Sequence, residues 1–322
     1  MHKVSVIIPV YNVSKYIERC AHSLLNQSLK EMEFIFVDDC SSDDSVLRLK
    51  KVISQYQERN EYVKIIHHTK NLGLTSARNS GLSVATGEFI AHCDSYDYLP
   101  PDMYKLLYER ALSADADLVL CDFYFSLPNN VLHEHKTIAV TSKQDTIKNY
   151  IAYGWTVVWN MIVKKSIFDK YNLHSPEHVT YCEDFFLTIR QLVYAEKIAK
   201  VDMPLYYYNR ANVSSIMHNL NHSSMLDEKR VYLETIELFR DLGVATDYEK
   251  EMSWRVLKNK QDLILNPETH NEFLSIYPIS HKYIVSCPSS FCNNKIKLMM
   301  WLLTHSCRYI LLFILFIRNR LK

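Results

Sequence analysis

A chain of 322 residues with 48% apolar and 23% charged residues has the balance of a globular protein with enough length for a core, which excludes an intrinsically disordered chain. Its 8 cysteines form no CxxC pair and no His/Cys cluster at zinc-ligand spacing, so we expect reduced, mostly buried thiols of a cytoplasmic protein. The first apolar run ends at Pro9, which suits a buried strand better than an export signal.

The net charge of +1 hides an asymmetry along the chain. Residues 273–322 contain seven Lys or Arg and no Asp or Glu, whereas residues 1–272 contain 30 basic and 36 acidic residues. A basic end on an acidic body predicts an anionic surface as the partner of that end. Nucleic acid is not expected there, because the basic residues are interleaved with long aliphatic runs rather than polar ones.

Apolar runs and helical spacing alternate along the chain. Strands are predicted at Val4–Val10, 34–37, Val63–His67, 89–91 and 117–121, and helices at 14–27, 46–53, 76–85, 183–195 and 222–265. This alternation is typical of βαβ units and predicts an α/β fold, with a mostly parallel sheet flanked by helices. We place a domain boundary near residue 218, which separates a sheet domain of residues 1–218 from a helical C-terminal region of residues 219–322.

Two acidic clusters follow predicted strands. Asp38-Asp39 follows the second strand, and residues 94–97 follow the fourth. Ligands of such sheets bind beyond the carboxyl ends of the strands, so both clusters should face one site. No GxGxxG follows any of the strands, which argues against a dinucleotide-dependent oxidoreductase.

Several stretches carry a resemblance to a known family. They are residues 6–12 (VIIPVYN), 36–39 (FVDD), 41–43 (SSD), 71–73 (NLG), 77–81 (ARNSG), 85–89 (ATGEF), 93–97 (CDSYD) and 183–184 (ED). In this order and spacing, the chain resembles a family 2 glycosyltransferase over about residues 3–215. The resemblance implies a GT-A (Rossmann-like) fold and an inverting transfer of a hexose-type sugar from a nucleotide-sugar donor.

The resemblance also assigns roles to single residues. Asp39 would accept the imide N–H of the nucleotide base, which favours a UDP-linked donor. Asp184, next to Glu183, would be the general base that takes the proton of the acceptor hydroxyl, a contribution of about 10²–10⁴-fold in rate. The remaining donor-binding residues would be Pro9, Tyr11, Asn12, Asn71, Gly73, Arg78, Asp94 and Ser95.

Structural roles are the alternatives for these same residues. Asp39 could end a strand and cap the helix that follows it. Arg78 could pair with Asp94 or Asp97 instead of binding phosphate, to which Arg is otherwise well suited. An acidic pair such as Glu183-Asp184 also suits the first turn of any helix, because it complements the helix dipole.

The metal-binding motif of the family differs in this chain. Its usual Asp-Ser-Asp-Asp reads Asp94-Ser95-Tyr96-Asp97, so a tyrosine stands at the position of the metal-coordinating carboxylate. Mg²⁺ often takes only one or two carboxylates besides phosphate and water, so Asp94 and Asp97 are the predicted ligands of Mn²⁺ or Mg²⁺. A neutral phenol is a poor ligand near pH 7, which leaves a metal-independent enzyme or an inactive homologue as alternatives.

Trp159 and Asn160 precede the predicted base and are the candidate acceptor residues. Aromatic faces stack on sugar rings, although Trp is equally suited to a half-buried core position. The acceptor class implied by the family is a glycan or a lipid-linked glycan.

Residues 295–322 form the predicted membrane-associating segment. Residues 296–317 are the most apolar part of the chain and are flanked by Lys and Arg. Arg308 would cost roughly 2.5–3.5 kcal/mol at the centre of a spanning helix. We therefore expect an interfacial helix on the anionic inner face of the cytoplasmic membrane, with a helix docked on the catalytic domain or a true span as alternatives.

Family and tail jointly predict a step of cell-surface polysaccharide synthesis at the cytoplasmic membrane face. Two other classes stay open: a catalytically impaired homologue that binds nucleotide or glycan, and a membrane-associated scaffold. The first would bind nucleotide without transferring sugar, and the second would not be stabilised by nucleotide at all.

Overall fold

The protein is described here from a computed structural model, which covers residues 2–126, 133–137, 139–153, 156–177, 179–210 and 222–320. The chain divides into two compact units, one made of Met1–Ile147 and Trp155–Leu220, the other of Lys148–Gly154 and Asn221–Lys322. The boundary predicted near residue 218 lies outside the described residues, as do the last two residues of the predicted membrane-associating segment.

Among the described residues, the first unit is built on an eight-stranded sheet with the order β3-β2-β1-β4-β7-β5-β6, in which β8 pairs with β5. The strands are β1 (Val4–Val10), β2 (Met32–Asp38), β3 (Val63–His67), β4 (Phe89–His92), β5 (Leu118–Ser126), β6 (His133–Lys136), β7 (Met161–Lys164) and β8 (Ile198–Asn209). β1 runs parallel to β2 and β4, and β3 runs parallel to β2. The predicted α/β class with a mostly parallel sheet is confirmed.

The other side of the sheet departs from the predicted parallel pattern. β7 is antiparallel to both β4 and β5, β6 is antiparallel to β5, and β8 is parallel to β5. The sequence analysis does not predict β6, β7 or β8. β6 and β7 have four residues each, which is too short for an alternating pattern to be recognised. β8 carries Pro204 where its register against β5 shifts, and such a bulge interrupts the two-residue period.

Helices flank this sheet. They are α1 (Ile17–Leu25), α2 (Ser45–Ile53), α3 (Leu74–Ser83), α4 (Met103–Ala114), α5 (Lys143–Ala152), which ends in the second unit, α6 (Lys165–Tyr171) and α7 (Glu183–Tyr194). α3 approaches β1 closely because residue 81 is glycine: a Cβ at Gly81 would lie 2.5 Å from Cγ2 of Ile7. This close approach determines where α3 presents its polar side chains relative to the strand ends.

The second unit is helical, as predicted for residues 222–265. Its helices are α8 (His222–Asp241), α9 (Ala245–Lys260), α10 (His270–Ser275), α11 (Asn294–Thr304) and α12 (Arg308–Arg320), with short 3₁₀ turns between α9 and α11. They enclose a core that includes Leu257, Phe273, Met300, Leu311 and Leu315. In the described part of the chain, no helix combines the length and the apolar character that crossing a membrane requires.

The tail expected as one helix is two helices instead. α11 ends at Thr304 and α12 begins at Arg308, and between them Ser306 has a φ of 61°. A left-handed residue cannot continue a right-handed helix, so the chain turns here. Arg308 therefore opens a helix rather than lying at the centre of one, and its predicted cost inside a spanning helix does not arise.

Candidate active site

Charged side chains from separate elements meet at the carboxyl edge of the sheet. Asp39 follows β2, Asp94 follows β4, Arg78 projects from α3, and Glu183 and Asp184 open α7. β1, β2 and β4 are parallel, so their carboxyl ends lie side by side as the sequence analysis expects. The convergence of α3 and α7 on the same place is a property of the tertiary structure.

Arg78 lies at the centre of this cluster. Its Nη1 is 2.5 Å from Oδ1 of Asp184 and 3.8 Å from Oε1 of Glu183, and its Nη2 is 3.4 Å from Oδ1 of Asp94. The guanidinium is only 2% exposed, so one buried cation faces three carboxylates. The pairing with Asp94 matches the structural alternative for Arg78, while the contact with the predicted base Asp184 was not foreseen.

Burial and mutual repulsion change the acidity of the two carboxyl groups on α7. Burial and then the charge of Asp184 raise the pKa of Glu183 to about 8. Burial also raises the pKa of Asp184. The Arg78 guanidinium opposes this rise, because it favours the ionised form of Asp184. Glu183 therefore retains its proton at neutral pH, while Asp184 makes the shorter contact with Arg78.

The start of α7 aims both carboxylates at Arg78. The residue before the helix, Cys182, adopts a φ of 71°, a left-handed conformation that costs roughly 1–3 kcal/mol for a residue other than glycine. The following turn is anchored by buried apolar residues, among them Phe185 and Leu187. A strained residue held in place by packing is a feature that clusters at functional sites.

Asp39 is bound to the loop that precedes α3. Its Oδ1 accepts the main-chain N–H of Leu72 at 2.8 Å, its Oδ2 accepts that of Gly73 at 2.8 Å, and Nδ1 of His68 lies 2.7 Å from Oδ1. The alternative in which Asp39 caps the helix after it is wrong, because its carboxylate binds the entry of α3 and not α2. Gly73 has a φ of 91°, which glycine tolerates without strain.

The other residues predicted to bind the donor line the same edge to different degrees. Pro9 is buried in β1, whereas Tyr11 after it is exposed and Asn12 has a φ of 51°. Oδ1 of Asn12 accepts the main-chain N–H of Ser42 at 2.8 Å, which ties the loops after β1 and β2 together. Among the rest, Asn71 is exposed and Ser95 is buried.

The turn after β4 does not present the expected pair of metal ligands. The Tyr96 hydroxyl donates to Oδ2 of Asp94 at 3.0 Å. Asp97 is fully buried, and its two oxygens accept the Tyr206 hydroxyl and the main-chain N–H of Asn209, each at 2.7 Å. Asp97 as a metal ligand is therefore a correction: its oxygens face the core. No group of three or more His, Cys, Asp or Glu side chains in the described residues is arranged to hold a metal.

The two predicted acceptor residues lie in the core instead of at a cleft. Trp159 is 1% exposed and stacks on Tyr206 with ring centroids 4.2 Å apart. Asn160 is fully buried, and its Nδ2 donates to the carbonyl of Cys121 at 2.9 Å. The acceptor assignment is corrected accordingly, because neither side chain offers a surface to a sugar.

Sequence reasoning missed His68, and it missed that Tyr206 binds the turn after β4. His68 bridges Asp39 to Ser80 of α3, where its Nε2 lies 2.9 Å from Oγ. A signal for it existed: His67 is paired with Asp38 at the ends of the parallel strands β3 and β2, so His68 follows one strand as Asp39 follows the other. Tyr206 lies in the unpredicted strand β8, so its contact with the turn after β4 had no sequence signal.

The mostly parallel sheet with its flanking helices and the charged residues at its carboxyl edge agree with the GT-A fold predicted from the sequence. The model of glycosyl transferase family 2 matches residues 5–186, more than half of the chain, so the chain belongs to this family. The protein is accordingly a glycosyltransferase.

Individual relatives agree with this assignment. The chain is 28% identical over 272 residues to the glycosyltransferase EpsJ of Bacillus subtilis, which covers 81% of this chain and 77% of EpsJ. The structure of S. aureus TarS residues 1–349 with UDP-GlcNAc aligns with a TM-score of 0.68 and 20% identity, covering 95% of this chain and 92% of that one. The mannosyltransferase PcManGT of Pyrobaculum calidifontis, with GDP-Man and Mn²⁺, aligns at 0.55 and 13% identity, covering 94% and 86%. At these identities, both structures show the shared fold alone.

Proposed function

We propose that the protein transfers a sugar from a nucleotide-sugar donor to a hydroxyl group of an acceptor glycan with inversion at the anomeric carbon. The observation that carries this proposal is the contact of Arg78 with Asp94 on one side and with Asp184 on the other. A residue of the donor motif and the predicted base are thus held within reach of one guanidinium.

The reaction follows from these positions. The acceptor hydroxyl oxygen attacks the anomeric carbon from the face opposite the nucleotide, and the bond between that carbon and the diphosphate oxygen breaks. Asp184 takes the hydroxyl proton, and the nucleoside diphosphate departs with the bonding electrons. Burial raises the pKa of Asp184, and Arg78 opposes that effect by favouring the ionised form that can accept the proton.

The donor is proposed to be UDP-linked. Asp39, at the end of β2, is the carboxylate suited to the imide of uracil, and it also orders the Leu72–Gly73 loop through two main-chain hydrogen bonds. A carboxylate has about four acceptor sites, so one further hydrogen bond remains possible. TarS, which shares the fold, has been crystallised with UDP-GlcNAc, whereas PcManGT carries GDP-Man.

Unfolding of the full chain by heat, with UDP, GDP, TDP or CDP, tests the donor site. A nucleotide at 100 times its dissociation constant adds about 2.7 kcal/mol of stability, which is readily seen as a rise in Tm. We expect a rise with UDP that exceeds that with the other three. Hydrolysis of UDP-sugars followed over hours then tests catalysis, and an unchanged Tm with all four nucleotides would refute the donor site.

The membrane surface is the proposed site of action, on the basis of α12. This helix buries Leu311 and Leu315 in the core of the second unit. Its opposite face exposes large apolar side chains, namely Tyr309, Ile310, Phe313, Phe316 and Ile317. The helix begins at Arg308 and ends at Arg320, and residues 273–322 contain no acidic residue. Such a face suits a shallow position in an anionic lipid surface, near a lipid-linked acceptor.

Vesicle sedimentation tests this second part of the proposal. The full chain should bind vesicles containing phosphatidylglycerol more strongly than pure phosphatidylcholine vesicles, and salt should weaken that binding. Replacement of both Phe313 and Phe316 by serine should lower the affinity for vesicles by at least about tenfold, because full burial of one phenyl ring contributes roughly 1.5–3 kcal/mol and tenfold corresponds to about 1.4 kcal/mol. Val285→Ser, which alters an exposed apolar residue outside α12, is the matched control. Equal binding of both variants would refute the role of α12.

A further inference from the structure

Asp94 is held by two donors that use both of its oxygens. The Tyr96 hydroxyl donates to Oδ2 at 3.0 Å, and Nη2 of Arg78 reaches Oδ1 at 3.4 Å. The main-chain N–H of Asp94 in turn donates to the Tyr206 hydroxyl at 3.2 Å. The carboxylate is therefore held by two side chains, and the main chain of Asp94 is held by a third.

Neighbouring groups offer a divalent cation little in addition. Ser95 is 3% exposed, and Asp97 is fully buried with both oxygens bound to Tyr206 and Asn209. Tyr96 carries a neutral phenol where a second carboxylate would give a hard cation an anionic oxygen. The residues of this turn thus do not fit the divalent cation that the family resemblance implies.

Two guanidinium groups already contact this turn. Nη2 of Arg78 contacts Asp94, and Nη2 of Arg19 of α1 donates to the carbonyl oxygen of Tyr96 at 3.4 Å. The guanidinium of Arg19 also stacks over the ring of Tyr98 at 4.1 Å from its centroid. Nη2 of Arg78 thus already contacts Oδ1 of Asp94, an oxygen that a cation bound to this carboxylate would use.

We propose that this chain binds its nucleotide diphosphate without a resident divalent cation, with the Tyr96 hydroxyl and Arg78 occupying the oxygens of Asp94 that a cation would use. The inference rests on the proposed nucleotide site and deepens it. It assigns to Tyr96 a positioning role: the hydroxyl holds Asp94 in place, and the phenol ring, partly buried against the core, keeps the turn closed.

Binding of Mn²⁺ to the full chain, followed by the electron paramagnetic resonance signal of the free ion, tests this directly. Mn²⁺ is titrated into protein alone and into protein with UDP, with a UDP-only titration subtracted. Wild type should bind no more Mn²⁺ than the UDP control. UDP affinity, measured by calorimetry in EDTA and in Mn²⁺, should differ by less than about twofold. One Mn²⁺ bound per chain, or an affinity gain of about tenfold with Mn²⁺, would overturn the inference.

Two variants at residue 96 with side chains of nearly equal size separate the effect of a carboxylate charge from the effect of a smaller side chain. Tyr96→Asp restores the second carboxylate and should create a site for one Mn²⁺, with UDP binding tightened about tenfold by the metal. Tyr96→Asn, nearly the same shape without the charge, should bind no Mn²⁺. Tyr96→Phe keeps the ring and removes the hydroxyl, and it replaces the other two variants if their smaller side chains lower Tm. Its affinity for UDP should stay independent of Mn²⁺.

The two proposals fail in different ways. A protein that binds UDP neither with nor without Mn²⁺ lacks the proposed donor site. The count of Mn²⁺ on the protein without UDP still decides the inference, because a wild-type site for the ion would contradict it. Mn²⁺ bound equally by wild type and Tyr96→Asp would show that residue 96 does not control the metal.

Discussion

Two buried cations, one in each unit, have opposite surroundings. Arg78 of the first unit is 2% exposed and faces the carboxylates of Asp94, Glu183 and Asp184. Lys260 of the second unit is 1% exposed, and its Nζ donates to the carbonyl oxygens of Phe273 and Ile276 at 3.1 and 2.6 Å.

The two surroundings move the acidity of the cations in opposite directions. The three carboxylates outweigh burial and raise the pKa of Arg78, so its charge is permanent. Burial lowers the pKa of Lys260 to about 7, because its ammonium group loses water and has, in the described part of the chain, no carboxylate beside it that would favour the charged form as in the Arg78 cluster. We therefore assign the Arg78 cluster a role in the reaction. Lys260, which donates to main-chain carbonyl groups, is assigned a role in the stability of the second unit. The following variants test this distinction.

Asp184→Asn should have the largest effect on function. Loss of a positioned base is expected to lower the rate of sugar transfer by about 10²–10⁴-fold, while the dissociation constant for UDP changes by less than about twofold. Steady-state transfer and calorimetry measure the two quantities. Asp241→Asn, at an exposed position of α8, is the matched control. A variant Asp184→Asn with full activity would remove Asp184 from the mechanism.

Arg78→Gln should have the largest effect on stability. Removal of one partner from a buried ion pair leaves uncompensated charge and costs about 3–5 kcal/mol. That cost corresponds to a fall of roughly 2–4 °C in Tm for each kcal/mol in a chain of this size class. Arg78→Lys keeps the charge and should recover part of the loss. A Tm within about 2 °C of wild type for Arg78→Gln would mean that the cluster is solvated, contrary to the comparison.

Lys260→Met should destabilise the second unit by a smaller amount. Two carbonyl groups lose their donor, and an unsatisfied buried polar group costs roughly 1–3 kcal/mol. A lysine whose pKa is lowered on folding contributes stability that is present above pH 10.5 and is lost as the pH falls through about 7. Wild type should therefore gain stability between pH 7 and 10 relative to Lys260→Met. Parallel Tm curves for the two proteins over this range would contradict the lowered pKa.

Glu183→Gln should have the smallest effect on stability. The pH dependence that it removes has the opposite sign to that of Lys260. The pKa of Glu183 is raised from 4.5 to about 8, so its contribution to stability is present below pH 4.5 and is lost as the pH rises through about 8. The neutral amide of the variant does not ionise. Between pH 6 and 9, Tm should consequently fall more in wild type than in Glu183→Gln. Circular dichroism melts at these two pH values measure the difference, and an equal fall would rule out the raised pKa.

Local pattern was sufficient for the parallel part of the sheet and for its motifs. The predicted strands Val4–Val10 and Val63–His67 agree with β1 and β3 residue for residue. β1 is buried along its whole length, as its mostly apolar run indicates. The acidic residues at the ends of β2 and β4 lie at one edge because parallel strands end together. These features depend on neighbours in sequence and on the direction of the strands, both of which can be read along the chain.

Contacts between distant elements decided the rest. Arg78 and Asp184 are 106 positions apart, and their ion pair depends on how α3 and α7 pack. Trp159 and Asp97 have the residue types of a binding site, yet strand β8 covers both through Tyr206. The family, the sheet edge and the candidate base were thus determined by the sequence itself, since each follows from local order. Which polar side chains face the core and which face the ligand was decided by tertiary packing, because burial depends on what a distant part of the chain places over them.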